Sequence, residues 1–229
     1  MKNQTFEKQY KDHGADSQRK YPNEHLIAFI ARNFYKAPDR KEVKILELGC
    51  GSGAQLWYIA REGFDAYGTD YSPTGLTICR ETLTKWGTSA TLAESDMTKI
   101  PFGIEFDAIV DVVSMQHLDI TDHEKSYKAA FDALKPGGVF FSYHLGDNSI
   151  IFRHGGGKRI GLHTIDNVND ASKPLSQNGL MTFLSPIDAE KMLQHAGFEH
   201  ISIEKNSRTY NNQEYAVEYL IIDAQKIKA

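Results

Sequence analysis

The sequence predicts a doubly wound α/β fold, a mostly parallel sheet with helices on both faces. Three observations predict it. An apolar run at Val43, Ile45, Leu46 and Leu48 breaks into glycines at alternate positions, Gly49, Gly51 and Gly53. The next apolar run ends on a carboxylate, Asp70, about 20 residues past the first glycine. Strand-like and helix-like stretches then alternate along most of the chain, the pattern of successive strand–helix–strand units.

The elements follow in order. Residues 1–40 form an arm ahead of the sheet. Within it, 24–35 reads as an amphipathic helix with Leu26, Ile27, Phe29, Ile30 and Phe34 on its apolar side, Pro22 near its start and Pro38 beyond its end. Tyr10, His13 and Tyr21 stand before that helix in a polar segment expected to be mobile. The first strand, 43–48, is apolar enough to be buried on both faces. A helix over about 54–62 follows, closed by Gly63. A second strand covers 66–70, and Ser72 and Pro73 are the N-cap and first residue of a helix reaching Trp86. The third strand lies at 90–93 and the fourth at 106–113. A helix at 122–134 is ended by Lys135-Pro-Gly-Gly138, and the fifth strand is 139–143.

Residues 144–185 carry Gly155-Gly-Gly157, Lys158, Arg159 and a polar run at 166–178, without clear periodicity. So long a connection after a strand end is expected to be a functional cap. Its few large apolar residues, Leu162, Leu175 and Leu180, suit a polar ligand. A helix at 186–195 closed by Gly197 and two strands, 198–204 and 214–222, complete the chain. The 229 residues therefore read as one domain with an arm (1–40), a cofactor-binding core (41–146), a cap (147–185) and a C-terminal helix and strand pair (186–229).

A hydrophobic share of 41% and a charged share of 24% are ordinary for a globular protein. No run approaches the roughly 20 apolar residues of a membrane span, and the polar start is no signal peptide. Two cysteines, Cys50 and Cys79, make no disulfide framework, so a cytoplasmic setting is expected. A net charge of −4 and the lack of a basic run argue against nucleic acid as a partner.

Alternating glycines at a strand end let a ligand approach the backbone without Cβ atoms in the way. A carboxylate at the end of the second strand can accept both hydroxyl hydrogens of a ribose. Gly49, Gly51 and Ala54 also satisfy the dinucleotide pattern, which leaves an NAD(P)-dependent reductase as an alternative. Glu47, Asp96 and Met97 favour a different nucleoside. Glu47 can orient the glycine loop or meet an ammonium, Asp96 can accept from an adenine amino group, and Met97 can pack on the ring.

The motifs Ile45-Leu-Glu-Leu-Gly-Cys-Gly-Ser-Gly53, Gly68-Thr-Asp-Tyr-Ser72, Glu94-Ser-Asp-Met97, Phe106-Asp-Ala-Ile-Val-Asp111 and Leu134-Lys-Pro-Gly-Gly-Val-Phe-Phe141 stand in order over residues 41–146. Together they resemble a class I S-adenosylmethionine-dependent methyltransferase of the small-molecule type. The resemblance implies a Rossmann-like sheet of seven strands with an antiparallel last strand, and S-adenosylmethionine across the carboxyl ends of its first strands. It implies cofactor contacts from Glu47, Gly49, Gly51, Gly53, Asp70, Tyr71, Asp96, Met97 and Asp111. Residues 111–114 read Asp-Val-Val-Ser, unlike the Asn/Asp-Pro-Pro-Tyr/Phe pattern of the family's nucleic-acid amino methylases.

The expected reaction is methyl transfer to O or N of a small polar acceptor, such as a sugar-related metabolite. A hydroxyl acceptor calls for a base, and His117 and His144 follow strand ends where one would sit. Asp111 can pair with His117 or polarise an amine. Tyr21, Tyr143 and Arg159 are the expected acceptor contacts, and the resemblance implies an arm that folds over the cofactor, where Tyr10 or Tyr21 can line the methionine side of the pocket. His144, Asp147, His154, His163 and Asp166 match no compact ligand spacing, and no metal is expected. A non-catalytic protein that binds S-adenosylmethionine is the second alternative.

Overall fold

The computed structural model describes residues 4–154, 157–168 and 170–228; Gly155 and Gly156 of the glycine run lie outside them. The arm holds α1 (Thr5–His13) and α2 (Glu24–Phe34). There follow β1 (Lys44–Leu48), α3 (Leu56–Arg61), β2 (Asp65–Asp70), α4 (Pro73–Lys85), β3 (Thr91–Glu94), β4 (Phe106–Val112), α5 (Ile120–Ala133) and β5 (Leu134–Leu145). The cap contributes α6 (Ile150–His154), β6 (Lys158–Arg159), β7 (Thr164–Asp166) and β8 (Met181–Thr182). The chain ends with α7 (Pro186–Ala196), β9 (Glu199–Tyr210) and β10 (Tyr215–Gln225).

Seven strands form one sheet in the order β3-β2-β1-β4-β5-β10-β9. The pairs from β3 to β5 are parallel, and β10 runs antiparallel to both of its neighbours. This is the expected doubly wound sheet. Alternation of side chains puts Leu46, Leu48, Ile109 and Phe140 in the core beneath α5 and α7, and Ile45, Val110 and Phe141 in the core beneath α2 to α4. Each such side chain, fully buried, contributes about 1.5–3 kcal/mol. The crossing of the chain from β1 outward to β2 and β3, then back to β4, opens a crevice above the carboxyl ends of β1 and β4.

Local signals hold where they are strongest. Ser72 Oγ accepts from Gly75 N at 2.8 Å as the cap of α4, and Gly197 ends α7 in the left-handed region. Three expectations need correction. The segment Lys135-Pro-Gly-Gly138, read as a terminator, belongs to β5, because Gly137 N donates to Lys226 O at 2.6 Å and Lys226 N to Gly138 O at 3.0 Å. The gap of 205–213 between the last two expected strands shrinks to a turn at 211–214, because β9 and β10 pair as far as Tyr210 and Tyr215. The polar arm is helical over α1, and Glu7, Phe6 and Tyr10 dock it on the body of the protein.

The cap is ordered around a three-stranded sheet, β6-β7-β8. Its two ends are stapled beside β5 by Leu184 N to Leu145 O (3.1 Å) and Asp147 N to Leu184 O (3.0 Å). Among the described residues no helix is long and apolar enough to cross a membrane.

Candidate functional site

The glycine loop after β1 turns through left-handed backbone at Gly49 (φ 65°) and Gly51 (φ 50°), which side chains rarely adopt. A Cβ on Gly49 would lie 2.5 Å from the Cβ of Ser114, and one on Gly51 would lie 2.3 Å from the Tyr10 hydroxyl. Asp70, at the end of β2, fixes this loop. Its Oδ2 accepts from Gly51 N and its Oδ1 from Ser72 N, both at 2.8 Å. Burial pushes the Asp70 pKa up, and the bonds from Ser72, Gly51 and Tyr71 oppose it.

Asp111, at the end of β4, does the same for the neighbouring loop. It accepts from Ser142 Oγ (2.7 Å), Met115 N (2.9 Å) and Ser114 N (3.0 Å). Burial outweighs these bonds and pushes its pKa up to about 6. Ser114 Oγ then donates to Gly49 O at 2.9 Å, so the two loops are tied together. Between them Val113 takes φ 56°, a strained conformation for a β-branched residue.

Above these strand ends lies a cavity of about 580 Å³. Glu47, Gly49, Gly51, Asp70, Tyr71, Asp96 and Met97 line its floor, bringing together seven of the nine expected cofactor contacts. Glu47 is 2% exposed, burial holds its pKa well above the carboxylate range, and its Oε2 has no hydrogen-bond partner. A buried carboxylate oxygen left open beside a glycine cradle suits a cationic or N–H-bearing ligand. Asp96 Oδ1 accepts from Thr98 N and Thr98 Oγ1, each at 2.9 Å, which holds its carboxylate at the rim. Gly53 and Asp111 lie behind the wall. A Cβ on Gly53 would meet Cys79 Sγ at 2.8 Å, so that glycine serves the packing of α4.

The roof comes from the arm and the cap. Tyr10, 5% exposed, lays its ring against Gly75 and its hydroxyl over Gly51. Phe6 N donates to the Tyr71 hydroxyl at 3.2 Å, and the Phe6 ring meets the edge of His117 at 4.6 Å. His117 Nδ1 donates to Leu180 O of the cap at 2.9 Å, and its Nε2 accepts from Gln116 Nε2 at 3.2 Å. Burial lowers its pKa to about 4 despite the bond to Leu180. The ring is therefore neutral near pH 7 and both nitrogens are engaged.

Four residues expected at the ligand are set outside the cavity. His144 is fully buried under His123, with Nδ1 donating to Leu145 O at 2.9 Å and its pKa lowered by burial to about 4. Tyr143 stacks between His25 and Tyr219, behind the wall. Tyr21 is 67% exposed at the edges of Trp57 and Trp86. Arg159 spends its guanidinium on the carbonyls of Leu162 and Phe152 and on the Phe152 ring. In their place Phe6, Arg19, Leu175, Leu180 and Tyr219 line the cavity. Leu175 and Leu180 carried a signal, as apolar residues in a polar run; the others carried none.

A larger hollow, about 820 Å³, lies by the amino ends of β2 and β3, lined by residues such as Lys41, Trp86 and Thr91. It contains none of the glycine-loop residues. Among the described residues no three His, Cys, Asp or Glu side chains are grouped to hold a metal ion.

Comparison with known proteins agrees with this geometry. Residues 45–138 match a family described as a methyltransferase domain. A ubiquinone biosynthesis O-methyltransferase of Dinoroseobacter shibae is 25% identical over 83% of this chain and 73% of its own length. A dTDP-3-amino-3,4,6-trideoxy-alpha-D-glucopyranose N,N-dimethyltransferase of Streptomyces venezuelae is 33% identical over 42% of this chain and 39% of its own. Among solved structures, an S-adenosylmethionine-dependent methyltransferase from Methanosarcina mazei superposes with a TM-score of 0.69 at 18% identity. It covers 91% of this chain and 100% of that one, and shows the shared fold.

Proposed function

We propose that this chain, which belongs to the class I S-adenosylmethionine-dependent methyltransferases, transfers a methyl group to an oxygen or nitrogen of a small polar acceptor. The observation that carries the reading is the open Glu47 carboxylate beside the glycine cradle, with Asp70 already oriented at the cradle's far side. S-adenosylmethionine fits these residues: Glu47 would hold its ammonium, Asp70 its ribose hydroxyls, and Asp96 with Met97 its adenine. When bound it supplies a methyl carbon activated by a sulfonium, open to in-line attack. Those assignments replace the nicotinamide alternative.

The remaining work falls to positioning, which can account for much of the acceleration in such a displacement. Phe6, Tyr10, Leu175 and Leu180 line the cavity and set apolar and aromatic surface against a bound cofactor. His117 anchors the cap through Leu180 O and presents a neutral edge. With a pKa near 4 and both nitrogens bonded, His117 acts in this reading as a positioning residue. The free, buried Cys50 and Cys79 support a cytoplasmic, reducing setting.

Titration calorimetry with S-adenosylhomocysteine and NADH, followed by acceptor-dependent formation of S-adenosylhomocysteine over a panel of phenols, amines and sugars, tests the proposal. Binding of the first ligand alone, with turnover on some acceptor, is expected. Binding of NADH alone, or cofactor binding without turnover on any acceptor class, sinks it.

A further inference from the structure

The hollow of about 820 Å³ at the amino ends of β2 and β3 has a chemistry of its own. Three cations line it: Lys41 from the turn before β1, Arg61 from the end of α3 and Lys85 from the end of α4. Among the described residues around it Asp65 is the only carboxylate, and Asp65 is already held by Lys44 Nζ at 3.3 Å and the Tyr67 hydroxyl at 3.1 Å. In a chain of net charge −4, three cations against one engaged carboxylate reverse the sign locally.

Cations at helix C-termini ordinarily serve the last carbonyls. Here the backbone closes those ends itself. Behind α3, Glu62 N donates to Tyr58 O at 2.9 Å and Gly63 N to Ala60 O at 3.1 Å. Behind α4, Gly87 N donates to Thr84 O at 3.0 Å and Thr88 N to Leu83 O at 2.9 Å. The side chains of Lys41, Arg61 and Lys85 make no hydrogen bond or ion pair among the described residues. The Arg61 guanidinium lies instead 5.4 Å from the centre of the Trp86 ring. Trp86 is fixed in turn, stacked on Trp57 at 4.0 Å and 8°, and Trp57 Nε1 donates to Lys20 O at 3.0 Å.

β2 joins this hollow to the glycine cradle and holds the two apart. Asp65 opens the strand in the hollow and Asp70 ends it at the cradle, about 17 Å away at ~3.3 Å per residue. The hollow and the cavity share no lining residue. Unspent N–H donors on rigid helix ends, in excess of carboxylates, are the chemistry that holds phosphate groups. We propose that the hollow is a second binding site, for a small anion bearing several phosphate groups, a nucleoside or an inorganic polyphosphate. Arg61 grips a phosphate with its fork, Lys41 and Lys85 act as point charges, and the fixed Trp86 ring backs the site. The inference does not depend on what the cavity at the other end of β2 binds.

The test is calorimetry of the whole chain with tripolyphosphate, ATP, adenosine and a short oligouridylate, at fixed low ionic strength, with and without S-adenosylhomocysteine. Tripolyphosphate and ATP should bind about tenfold or more tighter than adenosine in the presence of S-adenosylhomocysteine. An advantage of about threefold for ATP marks the nucleotide form, and equal binding marks the inorganic one. Arg61→Met and Lys85→Met should each weaken tripolyphosphate about two- to fivefold, and together roughly tenfold. Lys191→Met, on α7, should leave it unchanged. All three residues are exposed, so the variants are expected to fold, with unchanged Tm as the control. Absence of tripolyphosphate binding to the unaltered protein overturns the site, as does a double variant that binds it equally well. Competition by S-adenosylhomocysteine would place the anion in the glycine cavity and also overturn it. An oligouridylate bound more than about tenfold tighter than tripolyphosphate would make the hollow a nucleic-acid surface instead.

Discussion

The floor and the roof of the cavity are built on opposite principles. In the floor, carboxylates at strand ends close the loops with short bonds: Asp70 to Gly51 and Ser72, Asp111 to Ser114, Met115 and Ser142. The roof hangs on a few side-chain contacts made across long stretches of chain, such as Gln9 Nε2 to Gln177 O at 3.1 Å. Its cap bends through non-glycine residues in the left-handed region, Asn167, Leu175 and Gln177. A floor that presents one fixed nucleoside cradle needs rigidity. The roof is joined to the floor by side-chain bonds rather than by strand pairing, such as Glu7 to Ser72 and His117 to Leu180, so it can change its contacts without altering the sheet.

The contrast breaks first at Asp111. Replacing it by alanine strands three donors, two of them on the buried Met115 and Ser142, and should cost about 2–4 kcal/mol of global stability, measured by denaturant unfolding at pH 7. The pH dependence carries its own sign. With the folded pKa raised to about 6 against an unfolded value near 3.9, the native state binds the proton first. The unaltered protein should therefore gain stability over Asp111→Ala as pH falls from about 6 to 4. A cost below about 1 kcal/mol would mean that the floor is no stiffer than the roof.

Asp70→Ala is the next largest effect and acts on binding. It removes the carboxylate that orients Gly51, lines the cavity and is proposed to hold the ribose. The S-adenosylhomocysteine Kd should weaken by about 1.5–3 kcal/mol, the range for hydrogen bonds to a charged group. An unchanged Kd would remove the cofactor from this floor.

The same division decides what could be read in advance. The floor was legible because its signals are local: glycines after an apolar run, an acid ending the next, Ser72-Pro73 opening a helix. Seven of nine expected contacts meet there, and the other two, Gly53 and Asp111, stand directly behind the wall. The roof depends on partners distant in sequence. Nothing near Arg159 announces that it will be consumed by two carbonyls of its own cap. Tyr143 was placed in the right region but one ring too deep, because the stack on Tyr219 is set by the pairing of β5 with β10.

The smallest predicted effect lies at the join. Glu7 of the arm accepts from Ser72 Oγ (2.5 Å), Thr74 Oγ1 (2.8 Å) and Thr74 N (3.3 Å) at the start of α4. Burial raises its pKa, but bonds from Ser72, Lys11 and Thr74 outweigh that and bring it down to about 2. A carboxylate depressed in the folded state contributes stability that is complete above its unfolded pKa, near 4.5, and is lost as pH falls toward 2. Glu7→Gln should therefore ease opening of the arm by about 1–2 kcal/mol at neutral pH. Native-state hydrogen exchange at the α1 amides reads that opening directly, and in the unaltered protein protection should decline below about pH 4.5. If the arm is a separable roof, protection in β1 and β4 will not change with it. A parallel loss in those strands would show that arm and floor open as one unit, and the division drawn between them would have to be given up.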